Sequence, residues 1–216
     1  MPLLVALNWQ RATRGYDLVE RGPVAGQTIM DTRYGGTFVV PRGEPSAYLL
    51  RGHEDGKRGM VCVDLAKTPC TPKGVQMFVN KWGLLYDYKE MMVSEFYPPI
   101  ENLHALLDAA ARKHWGVIER HFDERGVGKM DLRFRRFPGQ AKPRLCLQPM
   151  SLMSFCWVQA WQLISAEGEF KRCSTCGQFF ASGTPTGGRS TRQYCSDACR
   201  VRKCRQNAKR RRTRAA

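Results

Sequence analysis

The chain reads Cys173-Ser174-Thr175-Cys176-Gly177 and then Cys195-Ser196-Asp197-Ala198-Cys199, with eighteen residues between Cys176 and Cys195. Four thiolates in two close pairs are a ligand set for zinc, which takes soft donors tetrahedrally at about 2.3 Å. A C-x2-C pair works because one tight turn points both sulfurs at the same spot. Gly177, directly after Cys176, supplies the positive backbone angle that such a turn often needs. In the second pair Ser196 or Asp197 can cap a following helix. Cys199 then falls in its first turn, with Cys195 just ahead. Residues 170–216 contain no histidine, so the site is all-cysteine. The expectation is one structural Zn2+ on Cys173, Cys176, Cys195 and Cys199, with no open position for chemistry. An iron–sulfur cluster or a redox dithiol is the remaining reading of four thiols.

Beyond Cys199 the sequence turns strongly basic. The chain carries a net charge of +16, and residues 170–216 hold thirteen Lys or Arg against one acid, Asp197. That region alone is +12, which leaves +4 for the rest. Such asymmetry marks a polyanion partner, the plain alternative being a solvated charge run. On a helix of about 100° per residue, Arg202, Arg205, Lys209 and Arg212 fall within roughly 80° of arc. Lys203, Gln206 and Arg210 lie nearer the side of Cys199. The residues expected to contact nucleic acid are Arg200, Arg202, Lys203, Arg205, Lys209, Arg210, Arg211 and Arg212. Cys204 stands about 140° round from Cys199 and is not expected to bind the metal.

Between the cysteine pairs lie Gln178-Phe179-Phe180 and a Gly/Ser/Thr/Pro-rich loop through residues 181–190. The aromatic pair would pack on the helix, and the loop residues favour turns. Knuckle, hairpin, loop and helix together suggest a treble-clef finger. Cys-x2-Cys-Gly-x-Phe-Phe followed by Arg192-Gln193-Tyr194-Cys195-Ser196-Asp197-Ala198-Cys199-Arg200 resembles the C-terminal zinc finger of a large group of bacterial proteins. Those proteins are mostly uncharacterised, and some are described as prospective transcription regulators. Their layout, an α/β N-terminal domain ending in an apolar helix before the finger, is similar to residues 1–168. The better-named members carry Cys-Gly-Asn-Arg at the last ligand, where this chain has Cys199-Arg200-Val201-Arg202. The likeness of the N-terminal part is one of layout only.

Upstream, the composition is 43% hydrophobic and 10% aromatic, enough for a real core. Residues 1–70 are rich in Gly, Pro, Thr and Val. Runs such as Thr37-Phe38-Val39-Val40 and Met60-Val61-Cys62-Val63 predict short strands between turns. The apolar segment within residues 75–86 fits either strand or helix. After Pro98-Pro99 the stripe Ile100, Leu103, Leu107, Ala110, His114, Val117, His121 predicts one helix, closed near Gly126-Val127-Gly128. His114 and His121 on that stripe read as satisfied, partly buried side chains. Met130–Phe137 alternates like a half-exposed strand, and Arg144–Leu147 is another. Ser151 can cap an apolar helix running to about Glu167, with Trp157 and Trp161 in the core. Cys146 and Cys156 read as buried, inert thiols.

The expected fold is therefore α+β. A mixed domain, residues 1–168, serves as sensor, dimerisation or partner domain. Residues 169–216 form the treble-clef-like finger with its arginine-rich helix. No run approaches the length of a membrane span, and the start does not read as a signal peptide, so a cytoplasmic protein is expected. The function expected first is nucleic-acid binding, DNA favoured, in transcription regulation; a homodimer is possible. An RNA- or ribosome-associated factor and a protein-interaction finger are the alternatives. No enzyme is expected, because residues 1–168 offer no phosphate loop or nucleophile–base set. Asp64 and Glu95 are the acids considered for a nuclease.

Overall fold

The chain's computed structural model describes residues 4–21, 36–51, 60–125, 130–135, 144–165, 169–177, 179–182 and 191–215. It is a mixed α+β fold. Strands β1 (Leu4–Ala12), β2 (Tyr16–Arg21), β3 (Gly36–Pro41) and β4 (Pro45–Arg51) come first. Helices α1 (Val61–Lys67) and α2 (Pro72–Trp82) follow, then the short β5 (Met91–Met92), a 3-10 turn (Val93–Phe96), α3 (Tyr97–Ala111) and α4 (Trp115–Arg125). The hairpin β6 (Met130–Arg135) and β7 (Arg144–Pro149) leads to α5 (Leu152–Ser165). The last elements are β8 (Glu169–Arg172), β9 (Phe179–Ser182) and α6 (Asp197–Ala215).

Three sheets result, ordered β4-β1-β7-β6, β2-β3-β5 and β8-β9. In the first, β1 runs parallel to β7 and antiparallel to β4. The core lies between these strands and α1, α2, α3 and α5; its largest fully buried side chains include Phe96, Phe155, Leu65, Leu103, Leu107 and Leu152. Cys146 and Cys156 are completely buried, as expected. Burial pushes the Cys156 thiol well above its ordinary value, which disfavours its thiolate.

Local chemistry explains the helices that form. Thr71 accepts from the Gly74 amide at 3.1 Å and Pro72 opens α2, the two favoured N-terminal devices. Gly83 ends α2 at φ +88°, and a Cβ there would lie 2.5 Å from the Gln10 carbonyl oxygen. Only glycine fits that close approach. Ser151 caps α5 by accepting from the Ser154 amide at 3.0 Å, as its position predicts.

Four expectations are corrected. Val61–Lys67 is a helix, not a strand: its apolar run is short, and such runs carry no decisive period. Packing settles it, with Val61, Cys62, Val63, Leu65 and Ala66 all buried and the Cys62 amide donating to Gln159 Oε1 of α5 at 3.0 Å. The helix expected from Pro98 onward is two helices, broken at Arg112-Lys113-His114. There the His114 amide donates to the Ala109 carbonyl at 2.9 Å and the Lys113 amide to Ala110 at 3.1 Å. This is the paired bonding of a Schellman stop, with Lys113 at φ +60° where glycine is usual. His114 is exposed and His121 half-buried. Trp161 is 43% exposed, while Trp157 is buried: the apolar girdle of α5 exceeds the surface available to cover it. The ends predicted at Phe137, Glu167 and Gly126–Gly128, and the loop at 183–190, lie outside the described residues.

Candidate metal centre

The knuckle is built first by the backbone. The Gly177 amide donates to the Cys173 carbonyl at 2.8 Å, and Gly177 sits at φ +70°. A Cβ at Gly177 would meet nothing within 4 Å, so glycine is there for its backbone angle alone. β8 delivers Cys173 and the turn delivers Cys176. On the other side Ser196 Oγ accepts from the Cys199 amide at 3.3 Å, making Ser196 the cap of α6 and Cys199 its third residue. Cys195 directly precedes the cap. Thr175 Oγ1 donates to the Cys199 carbonyl at 3.1 Å and the Ser174 amide to Gln193 at 3.3 Å, tying knuckle to helix.

These elements bring Cys173, Cys176, Cys195 and Cys199 together, their sulfurs all within 4.8 Å of one another. Cys195 Sγ stands 3.5 Å from both Cys176 Sγ and Cys199 Sγ. Sulfurs at 2.3 Å from a tetrahedral ion would be about 3.8 Å apart, so the group could hold one metal ion. All four cysteines are free thiols rather than disulfides. Cys173 and Cys199 are buried, Cys195 half-buried and Cys176 exposed. Burial pushes the Cys173 thiol up, but the amides of Cys195, Cys176 and Thr175 outweigh it and bring it down to about 6. Burial and sulfur neighbours Cys176, Cys199 and Cys173 hold Cys195 up at about 12. Metal-free, the cluster therefore keeps protons that a cation has to displace.

Three supporting side chains complete the site. Phe180 is buried with Cys173 and Cys199, Tyr194 packing beside them. Arg192 Nη2 donates to the Cys195 carbonyl at 2.7 Å and its Nε to Tyr194 at 2.8 Å, while its guanidinium lies 5.7 Å from the Phe180 ring centre. Arg192 thus fixes the turn that presents the second pair. Sequence reading placed it in the motif without a role. Its signal was a lone arginine three residues ahead of a ligand.

The finger rests on the body. Arg172 Nε donates to Asp108 Oδ1 of α3 at 2.9 Å, and its Nη2 contacts the same oxygen. Burial raises the Asp108 carboxyl, yet Arg172 and Arg112 outweigh it and hold it below its ordinary value.

Of the expected nucleic-acid contacts, all eight lie on α6. Arg200, Arg202 and Arg205 are exposed and Lys203 is half-buried; the side chains at 209–212 lie outside the described residues. Arg200 pairs with Asp197 at 3.3 Å. Cys204 is exposed and stands apart from the cluster. Asp64 and Glu95 are each engaged in structure. Asp64 accepts from Lys81 at 2.6 Å and from the Trp82 indole at 3.0 Å; Glu95 accepts from the Met92 amide at 2.7 Å. Among the described residues no helix is long and apolar enough to cross a membrane. No protein-family model, curated protein or solved structure matches the chain.

Proposed function

We propose that this is a zinc-dependent nucleic-acid-binding protein, with duplex DNA the favoured partner and transcription regulation the favoured role. The observation that carries the reading is the continuity between Cys199 and the basic helix. The last ligand is the third residue of α6, and Arg200, Arg202 and Arg205 project from the next turns into solvent. A metal on the four sulfurs would fix the first turn of a helix whose remaining length carries cations. The cations late in the helix also complement the negative end of its dipole. Zinc is favoured over an iron–sulfur cluster by the spacing of the sulfurs. In a multi-iron cluster the four thiolates are divided among different irons, and those on different irons stand further apart than the 4.8 Å maximum found for these sulfurs.

A salt series on duplex DNA, single-stranded DNA and RNA tests this function. Arg202, Arg205, Lys209 and Arg212 share one arc of α6, and each phosphate contact on duplex contributes about 0.9 to the slope of log affinity against log salt. Changing all four to Gln flattens that slope by about three to four units and weakens binding alike on all duplex sequences. An unchanged slope leaves α6 a solvated charge run and the protein-interaction reading in its place. Stronger binding to RNA than to duplex, with the same loss in the variant, moves the target to RNA.

A further inference from the structure

The sheet β4-β1-β7-β6 ends on β6, whose outer edge has no strand partner among the described residues. Unpaired edges are ordinarily blunted by bulges, prolines or charged side chains. Met130–Arg135 has no proline and pairs with β7 residue for residue through six positions without a bulge. Its charges at Asp131 and Arg133 are opposite in sign, so they can pair with a second copy rather than repel it. The hairpin also carries an apolar face that the body leaves open. Met130, Leu132, Leu145 and Leu147 share one side by register. Met130 and Leu147 pack on the core, whereas Leu132 and Leu145 are 64% and 45% exposed.

The opposite side of β6 carries Asp131 and Arg133, paired with each other at 3.0 Å and both well exposed. Acid, leucine, base is a sequence that complements itself when reversed. If a second β6 adds antiparallel about a two-fold axis through Leu132, each Asp131 stands directly opposite the other copy's Arg133. Leu132 then meets Leu132, and Met130 lies opposite position 134. Opposite charges directly across an antiparallel ladder stabilise it and like charges destabilise it. Moving the axis to Arg133 sets two guanidiniums face to face; moving it to Asp131 sets two carboxylates face to face. A one-residue slip without a change of axis would carry the leucines to the wrong side of the sheet.

We propose that β6 is the joint of a homodimer, in which two copies of this chain pair antiparallel about Leu132 into one continuous eight-stranded sheet. The contact is isologous, as a two-fold axis requires, and its backbone ladder is that of β-augmentation. It covers the open edge and brings the two Leu132 side chains together. It does not rest on nucleic-acid binding, since none of its residues belongs to the finger.

The test uses the full zinc-loaded chain, without nucleic acid, in sedimentation equilibrium over a concentration series. The wild type is a concentration-dependent dimer. Arg133→Asp sets carboxylate against carboxylate twice, and Asp131→Arg sets guanidinium against guanidinium twice. Each weakens dimerisation about tenfold or more when alone. Mixed one to one, the two variants form a heterodimer, because each acid of one again faces a base of the other. Native mass spectrometry of the mixture reads that species directly. The double variant Asp131→Arg/Arg133→Asp dimerises like the wild type. Recovery in the mixture also shows that both single variants are folded. A wild type monomeric at every concentration, or single variants that dimerise as well as the wild type, overturns the joint.

Discussion

The body and the finger are held together by different physics. In the body, α1, α2, α3 and α5 close on the sheets around a continuous apolar core with fully buried Phe96, Phe155, Leu103 and Leu107. In the finger the buried hydrophobic cluster among the described residues is Cys173, Phe180 and Cys199, two of which are candidate ligands. Burying a large apolar side chain contributes about 1.5–3 kcal/mol, and fixing a residue's backbone costs about 1–2 kcal/mol. One phenylalanine does not order a finger of this length. A metal on four thiolates contributes on the order of 10 kcal/mol or more to folding a small domain. The body thus folds on its own area, and an ion on the four thiolates would supply what the finger lacks.

The largest effect expected from this contrast is on metal removal. Chelation, or Cys176→Ser, unfolds the finger and the first turns of α6 while the body keeps its cooperative melt. Hydrogen exchange checks it: amides of β8, β9 and residues 197–205 lose protection, and those of α3 and α5 do not. Elemental analysis of the protein purified without added metal gives one zinc per chain. Cys204→Ser retains it, since that thiol stands apart from the cluster. Loss of the body's melt on chelation would erase the distinction.

The converse perturbation is Phe155→Ala. Phe155 is fully buried in α5, and such truncations cost about 3–5 kcal/mol through lost transfer energy and the cavity left behind. A denaturant melt of the body should shift by that amount with zinc stoichiometry unchanged. If zinc is lost in proportion, the finger depends on the core for its fold.

How much of each region was legible follows the same division. The finger could be read because its constraints are local. Two cysteine pairs, Gly177 and Ser196 state their backbone roles within five residues of sequence. The body hid its decisions in distant contacts. Val61–Lys67 is helical because α3 and α5 cover it and Gln159, far along the chain, holds the Cys62 amide. The parallel pairing of Leu4 and Val5 with Cys146 and Leu147 has no local signal at all. Arg192 was visible as a residue, and only the fold shows that it holds two carbonyls of the second knuckle.

The Arg172–Asp108 contact is one polar link in the seam between the regions, and a small effect is expected there. Because Asp108 is held below its ordinary value, its stabilisation is present above the unfolded carboxyl pKa, about 3.9. It is lost as pH falls through the lower folded value. Cysteine ligands take up protons at higher pH and release the metal before that window is reached, so acid melting reports the ion first. Asp108→Asn at neutral pH removes the seam contact together with the Arg112–Asp108 pair inside α3. With Arg172 45% exposed, it should cost less than about 1 kcal/mol and leave zinc in place. Hydrogen exchange in β8 and β9 should rise modestly. Release of the finger from the body would mean that the seam, and not the ion, holds it in place.

The two regions also differ in how they turn a left-handed corner. The finger uses Gly177 at φ +70° and the body uses Lys113 at φ +60°. Left-handed backbone costs a residue with a Cβ about 1–2 kcal/mol, and glycine almost nothing. Gly177→Ala meets open space, so its whole penalty is conformational. It should weaken zinc affinity by about tenfold, read by competition with a chelator. Lys113→Gly acts in the other direction. The bonds from His114 to Ala109 and from Lys113 to Ala110 that close α3 use backbone alone, and glycine can make them without strain. Against that gain stands the greater freedom of glycine in the unfolded chain, about 0.4–1 kcal/mol. The net is a stabilisation of the body of up to about 1 kcal/mol, seen in its denaturant midpoint with the finger untouched. A destabilised Lys113→Gly would mean that the lysine side chain contributes a contact worth more than the strain of its own backbone.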